Sequence, residues 1–434
     1  MGAGGGLMDR DALLRRFASV RAATEALAAP LSAEDQQLQS MDDASPTKWH
    51  RAHTTWFFEE FLLGPAGVAP CRPEYRYLFN SYYEAVGPRH PRPRRGLLSR
   101  PSCDEVAAYR RAVDGRMREL LGALDDDALT RVALLVELGL AHEEQHQELL
   151  LTDILHALAQ SPLRPAYRAS APPTAGARVP STPAPLRFVR HDGGLCEIGD
   201  DGDLRFTFDN EGPRHRVWVE PFELASRPVS VGEVRAFIDA GGYETPALWL
   251  AEGFDWVRRE GVHAPLYTER DGATLRGFTL DGDAALDPDA PASHLSYYEA
   301  DAIARFLGGR LPTEAEWEVV AARVPVAGND RASGALRPVA AGVASVTEGV
   351  GQLFGDVWEW TSSAYAPYPG FTAAAGAVGE YNGKFMVSQL VLRGGSCLTP
   401  PGHVRPTYRN FWPPHTRFQM TGARVARSVR RGAA

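Results

Sequence analysis

HEEQHQE, His142–Glu148, lies inside DDALTRVALLVELGLAHEEQHQELLLTDILHALAQ (126–160), a segment whose apolar residues recur at helical spacing. Its two histidines are four residues apart, so on a helix both imidazoles leave one face about one turn apart. Two neutral ring nitrogens so placed can take adjacent positions on one metal ion. A third histidine from another helix would complete a functional site, and His53 is the upstream candidate. That reading requires helices packed side by side with the site between them, which is how bundles build metal centres.

Working outward, three more helical stretches precede the motif. DRDALLRRFASVRAATEALAAPL ends at a proline. In SPTKWHRAHTTWFFEEFLLG, Ser45 is placed to cap a helix with Pro46 at its first position and Gly64 at its stop. SCDEVAAYRRAVDGRMRELLGAL completes the set, so residues 8–160 are expected to form a four-helix bundle. Residues 65–101 interrupt it with an irregular stretch rich in Arg, Tyr and Pro, a length that usually signals function. Residues 161–186 hold seven prolines and little apolar content, the pattern of a semi-rigid linker. From 187 to 428 the texture changes to short strands, turns and frequent Trp and Gly. There HRVWVEPFELA alternates like one strand, and VSVGEVRAFIDAGGY and SYYEADAIARFLGGRLPTEAEWEVVAAR read as two short helices. The fold class expected is α+β in two domains, with a frayed tail from Ser428 to Ala434.

At 434 residues, two domains are the natural expectation, and 44% hydrophobic with 23% charged residues is a globular composition. A net charge of −8 argues against binding nucleic acid or an anionic membrane. No apolar run reaches the length of a membrane span. The glycine-rich lead-in lacks a basic region followed by an apolar stretch, so no signal peptide is expected. The four cysteines, Cys71, Cys103, Cys196 and Cys397, are scattered without a CxxC pair, which points to a reducing compartment, the cytoplasm by default.

Three motifs in the second half, RLPTEAEWE (Arg310–Glu318), GDVWEWTSS (Gly355–Ser363) and LRGGS (Leu392–Ser396), resemble the formylglycine-generating-enzyme (FGE-sulfatase) family, which has a C-type-lectin-like fold. The paired histidines and AHTTWFFE resemble DinB-like four-helix metal-binding bundles. Together the halves resemble the ergothioneine-biosynthesis sulfoxide synthases, iron enzymes that join a thiol to hercynine (trimethylhistidine) using O₂. SPTKWHRAHTTWFFE, FNSYYEAVGPRHPRP and RPTYRNFWPP strengthen that resemblance, which covers nearly the whole chain.

The resemblance implies Fe(II) held by His53, His142 and His146. Three histidines on one face of an octahedral ion leave three positions open, the logic of facial-triad oxygenases. His50 shares the face of His53, and only the family motif prefers His53. Zinc also accepts three histidines, so spacing does not name the metal. Gln145 is implied to reach substrate through hydrogen bonds, with a plain solvated glutamine as the other reading. Glu148 either orients a histidine or is solvated.

For the substrates, a quaternary ammonium cannot donate hydrogen bonds, and aromatic faces are its natural partners. The resemblance implies Asn410 as the polar contact to hercynine, with Phe411 and Trp412 beside it; domain core is the alternative for the aromatics. The loop HPRPRRG offers arginine forks for the carboxylate of the thiol donor, Arg92 and Arg95 being the choices. One of Tyr82 and Tyr83 is implied to be catalytic, donating a proton or hydrogen atom as the carbon–sulfur bond and sulfoxide form. The resemblance implies an acid at position 412 for pairing with the amino group of γ-glutamylcysteine; Trp412 stands there, so cysteine is the favoured donor, with γ-glutamylcysteine possible. Alternatives are a selenium donor and a zinc thiol S-transferase whose second domain only binds. Formylglycine generation needs a close thiol pair after RGGS, and Cys397 stands alone there.

Overall fold

A computed structural model describes residues 9–168, 186–202, 206–340, 346–347, 349–375 and 377–429. The glycine-rich lead-in, most of the proline-rich linker and the final residues 430–434 lie outside the described residues. The chain forms two compact units, residues 1–160 with 374–381, and residues 161–373 with 382–434.

In the first unit the helices are α1 (Arg10–Ala28), α2 (Thr47–Phe58), a single turn α3 (Tyr75–Leu78), α4 (Cys103–Ala123) and α5 (Asp126–Ala159). Asp9 caps α1 by accepting from the N–H groups of Asp11 and Ala12, and Ser102 with Glu105 forms a capping box on α4. The buried stripe of α1, Leu13, Phe17, Val20, Thr24 and Ala28, follows the helical period and faces the bundle. Helix α2 differs: all twelve of its residues are buried, including Lys48, His50, Arg51 and His53. A helix that polar is buried only if each polar group finds a partner.

The partners come from every long helix. The Glu143 carboxylate on α5 accepts from Arg21 (2.6 Å) and Thr24 (2.6 Å) on α1 and from Arg110 (2.8 Å) on α4. Arg21 donates onward to Thr55 Oγ1 (2.8 Å) and Arg110 to the Arg51 carbonyl (2.9 Å), both on α2. Burial alone would push the Glu143 carboxyl up, but the two guanidiniums outweigh it and hold it at about 2. Gly139 lets α2 approach α5: a Cβ there would meet the rings of Phe58 and Phe57 at 2.8 and 2.9 Å. After α2 the chain runs through a π turn, Glu59–Leu63, before Gly64 ends it.

The start of α2 corrects one expectation. The helix begins at Thr47, and Pro46, with extended backbone, precedes it. Ser45 does not cap it: the Ser45 N–H donates to Asp153 (2.8 Å), and its hydroxyl accepts from Arg95 (2.9 Å). A buried guanidinium and a buried carboxylate outcompete the local cap.

The second unit opens with β1 (Phe188–His191), β2 (Gly194–Ile198), β3 (His215–Val219) and β4 (Phe222–Ala225). The stretch read as one strand is therefore two: β3 pairs β2, then Pro221 breaks the run and β4 pairs β1. Helices α6 (Val231–Asp239) and α7 (Ala251–Glu260) follow, then the meander β5 (Thr268–Asp271), β6 (Thr274–Thr279) and β7 (Gly282–Ala285). SYYEADAIARFLGGRLPTEAEWEVVAAR is also two elements, α8 (Tyr297–Phe306) and α9 (Glu314–Ala321), because Gly308 takes a positive φ and Pro312 follows. After the short hairpin of β8 (Val346–Thr347) and β9 (Val350–Gly351) come β10 (Trp358–Ala364), β11 (Leu390–Arg393), β12 (Asn410–Trp412), β13 (Thr421–Ala423) and β14 (Ala426–Ser428). The central sheet runs β12-β11-β10-β13, antiparallel except for the parallel β10–β13 pair. Trp317, Phe222, Leu224 and Phe354 lie in the core of this unit.

Removing one partner of a buried charge network leaves the others unpaired. Glu143→Ala is therefore expected to destabilise the protein by about 3–5 kcal/mol, read from urea unfolding. A loss under about 1 kcal/mol would show that this network does not hold the bundle.

Candidate metal centre

Helix α2 delivers His53 and α5 delivers His142 and His146, and one ligand atom from each lies within 4.8 Å of the others. The ring centroids stand 4.6 to 4.9 Å apart. His53 is stacked between Trp49 (4.5 Å) and Trp56 (5.5 Å), and Phe57 packs on His142 (5.0 Å). Burial lowers the affinity of all three rings for a proton, with His142 brought to about 3 and the neighbouring histidines adding to the effect at His53 and His146. Three neutral imidazoles at neutral pH are what a metal ion requires.

Hydrogen bonds settle which nitrogen two of the rings offer. His53 Nδ1 donates to the Phe79 carbonyl (2.6 Å), which leaves its Nε2 with a lone pair. That Nε2 stands 3.2 Å from His142 Nε2, close to the roughly 3 Å between neighbouring nitrogens bound at about 2.1 Å to one ion. His142 Nδ1 is buried with no hydrogen-bond partner among the described residues. For His146 the relay starts at Asp153, whose carboxylate accepts from His50 Nε2 (3.0 Å). With its proton on Nε2, His50 can accept at Nδ1, and His146 Nδ1 stands 2.8 Å away to donate to it. His146 is left with Nε2 as its ligand atom. The three residues could hold a metal ion, and His50 would then stand behind His146, hydrogen-bonded to its Nδ1.

The loop after α3 supplies the tyrosine pair. Tyr83 is buried against Trp56 and Phe61, and Tyr82 stacks on it at 4.6 Å with the two hydroxyls 3.5 Å apart. Burial, with Tyr82 next, pushes the Tyr83 phenol well above its ordinary value, so it keeps its proton. Asn80 pins this loop by accepting from the Tyr83 N–H (3.1 Å) and donating to the Tyr83 carbonyl (3.0 Å).

Two family models match the chain, and the second runs through residues 374–381, which belong to the first compact unit. Residues 16–150 match the DinB superfamily, and 177–335 with 327–429 match the sulfatase-modifying factor enzyme 1-like domain. Over 412 residues the chain is 32% identical to the hercynine oxygenase of Mycolicibacterium smegmatis, covering 89% of this chain and 91% of that one. The Mycobacterium tuberculosis hercynine oxygenase is 33% identical over 407 residues, with 88% and 91% covered. The chain belongs to the hercynine oxygenase family. It is an oxygenase of α+β architecture, with a DinB-like helical unit and a second unit of the sulfatase-modifying-factor type. A formylglycine-generating enzyme of Streptomyces coelicolor is 29% identical over 283 residues, covering 54% of this chain and 85% of that one.

Within this hercynine oxygenase fold the other expected residues separate clearly. Gln145 is half-buried, and its Oε1 accepts from the Tyr381 hydroxyl. Arg95 is buried with its guanidinium 3.4 Å over the Trp49 ring, donating to Ser45 (2.9 Å) and Ser81 (3.2 Å). No carboxylate pairs with it among the described residues, and burial with the nearby Arg92 pushes its pKa well down. Arg92 is exposed and bonded to Asp43. Asn410, Phe411 and Trp412 form β12 of the second unit. There Asn410 Oδ1 accepts from the Phe411 N–H (2.8 Å), Phe411 stacks on Tyr365 (4.0 Å) and Trp412 packs on Phe418. Glu148 is buried, which removes its solvated reading. Glu143, Asp153 and Tyr381 were not anticipated. The spacing Asp153–His146, seven residues or two helical turns, was the one sequence signal that could have placed Asp153 on the ligand face.

Alanine at His53, His142 or His146 is expected to abolish stoichiometric metal binding in a chelator competition titration. His50→Ala is expected to keep the stoichiometry and weaken affinity about 10–100-fold. Full affinity in His53→Ala would remove α2 from the ligand set.

Proposed function

We propose that the protein is a non-haem Fe(II)- and O₂-dependent sulfoxide synthase that joins a thiol, cysteine by preference, to the imidazole of hercynine. The observation that supports this most is the convergence of three neutral histidines, two of them held in one tautomer, in a chain of the hercynine oxygenase family. The reaction balances as thiol S–H plus imidazole C–H plus O₂ giving carbon–sulfur bond, sulfoxide oxygen and one water. Iron(II), when bound by His53, His142 and His146, supplies the activation of O₂ and a Lewis-acid anchor for the imidazole and the thiolate.

The rest falls to the chain's own residues. Gln145 hydrogen-bonds substrate. Arg95 takes the carboxylate of the thiol donor: a buried guanidinium that no carboxylate pairs with among the described residues gains most from an incoming anion. Arg92, already engaged by Asp43, adds long-range attraction. Tyr83 or Tyr82 holds a phenolic proton for the oxygen that leaves as water. Asn410, Phe411 and Trp412 are the proposed hercynine contacts of the second unit. With a net charge of −8 and no described helix long and apolar enough to cross a membrane, the proposal includes a cytoplasmic enzyme with small-molecule partners and no nucleic acid.

Anaerobic loading with Fe(II), addition of hercynine and exposure to O₂ with cysteine, γ-glutamylcysteine or a selenosugar tests the reading by mass spectrometry. The expected outcome is O₂-dependent hercynylcysteine sulfoxide, with the zinc-loaded protein inactive. No product from any donor overturns the reading. Thiol transfer by the zinc form without O₂ would replace it with an S-transferase, and selenosugar as the best donor would move it to selenium.

A further inference from the structure

Residues 374–381 come from the second half of the sequence but belong to the first compact unit. Two consecutive side chains of that segment engage two different parts of the site. The Glu380 carboxylate accepts from both the Glu84 N–H (3.0 Å) and the Ala85 N–H (2.8 Å), the residues immediately after Tyr82 and Tyr83. Asn80 holds the same turn through its Nδ2, which donates to the carbonyls of Tyr83 and Gly87. Next, Tyr381 is buried, and its hydroxyl donates to Gln145 Oε1, the side chain between the two histidines of α5. Its ring stands edge-on to His142 at 5.5 Å (81°) and to Tyr82 at 6.3 Å (74°).

A glutamine side chain on a helix has three rotatable bonds and an amide that can turn either end to a ligand. A hydroxyl donating to Oε1 removes the ambiguity: the carbonyl end faces Tyr381 and the NH₂ end becomes the donor. We propose that Tyr381 is a positioning residue of the metal site, setting the Gln145 carboxamide so that its NH₂ end meets the carboxylate or ring nitrogen of hercynine. Glu380 seats the tyrosine loop from the same segment. This rests on the assignment of hercynine as substrate, and it adds a residue pair from a remote part of the chain that acts through Gln145 and the loop.

The test is a double-mutant cycle on hercynine binding to the Fe(II)-loaded protein, measured anaerobically by calorimetry with Tyr381→Phe, Gln145→Ala and the double variant. Tyr381→Phe keeps the ring and removes only the hydroxyl. It is expected to weaken hercynine binding about 10-fold, the scale of one well-made hydrogen bond. Iron affinity and thermal midpoint should stay unchanged. The double variant is expected to bind no more weakly than Gln145→Ala alone, because the hydroxyl acts on hercynine only through that amide. In turnover, Tyr381→Phe should raise the KM for hercynine while the KM for the thiol donor stays within about twofold.

Unchanged hercynine affinity in Tyr381→Phe overturns the proposal, as do additive losses in the double variant. Loss of iron affinity or of the thermal midpoint alongside hercynine makes Tyr381 a structural residue and also overturns it. Wild-type protein that binds iron but no hercynine would instead refute the substrate assignment, and this inference with it.

Discussion

A single buried carboxylate sets the geometry on which the site depends. Glu143 sits at the point where α1, α2, α4 and α5 meet, bonded to Arg21, Thr24 and Arg110, and through them to α2. Successive residues on a helix point about 100° apart, so fixing Glu143 in the middle of the bundle fixes the roll of α5. His142, one residue earlier, and His146, one turn later, then have no choice of direction. Buried ion networks are poor sources of net stability, because desolvating each charge costs several kcal/mol. Their better-attested contribution is register, and register is what a three-histidine site needs. Turning α5 by one residue would put a histidine into the arginine knot in one direction, or a carboxylate in the place of His142 in the other.

The same reasoning explains why α2 is wholly buried although many of its residues are polar. Arg51 pairs with Glu25 and Gln36, Lys48 reaches the Leu98 carbonyl, and His50 links Asp153 to His146. Of these, His53 is the one that groups with His142 and His146 as a possible metal ligand. The hydrogen bonds behind His53 and His146 thus decide their tautomers before any metal arrives, which reduces the reorganisation that binding requires.

Much of this was legible because it is local or motif-bound. The histidine spacing on α5 and the bundle helices around it follow from periodicity, and the three motifs of the second half identify its fold. What stayed hidden depends on partners remote in sequence. Ser45 looks like a helix cap until Arg95 and Asp153 are placed beside it. Arg92 and Arg95 are three residues apart in one basic loop, yet one pairs with Asp43 at the surface and the other is buried over Trp49. Tyr381 is 236 residues from Gln145 and no periodicity connects them. Helix roll, loop burial and chain return are tertiary outcomes, and residue type alone does not encode them.

The motifs that identify the second unit illustrate the opposite case, residues that are easy to recognise and that hold the fold together. Arg393 of LRGGS donates to Glu318 (2.8 Å) and Glu314 (3.0 Å) of the RLPTEAEWE helix, and Trp317 of that helix donates to Glu359 (2.8 Å) of GDVWEW. Glu359 in turn is bonded by Arg424, and Glu314 by Arg409. All of these groups are buried, and every one of these carboxylates has an arginine. A knot of paired charges tolerates neither a lost partner nor a shifted strand. The motifs therefore mark a fold type that hercynine oxygenases share with formylglycine-generating enzymes, so the fold alone does not name the chemistry. Tyr381 lies 12 residues before Arg393, on the connection that leads into β11. One continuous piece of chain thus carries both a residue beside the histidines and a strand of the charge-knotted scaffold.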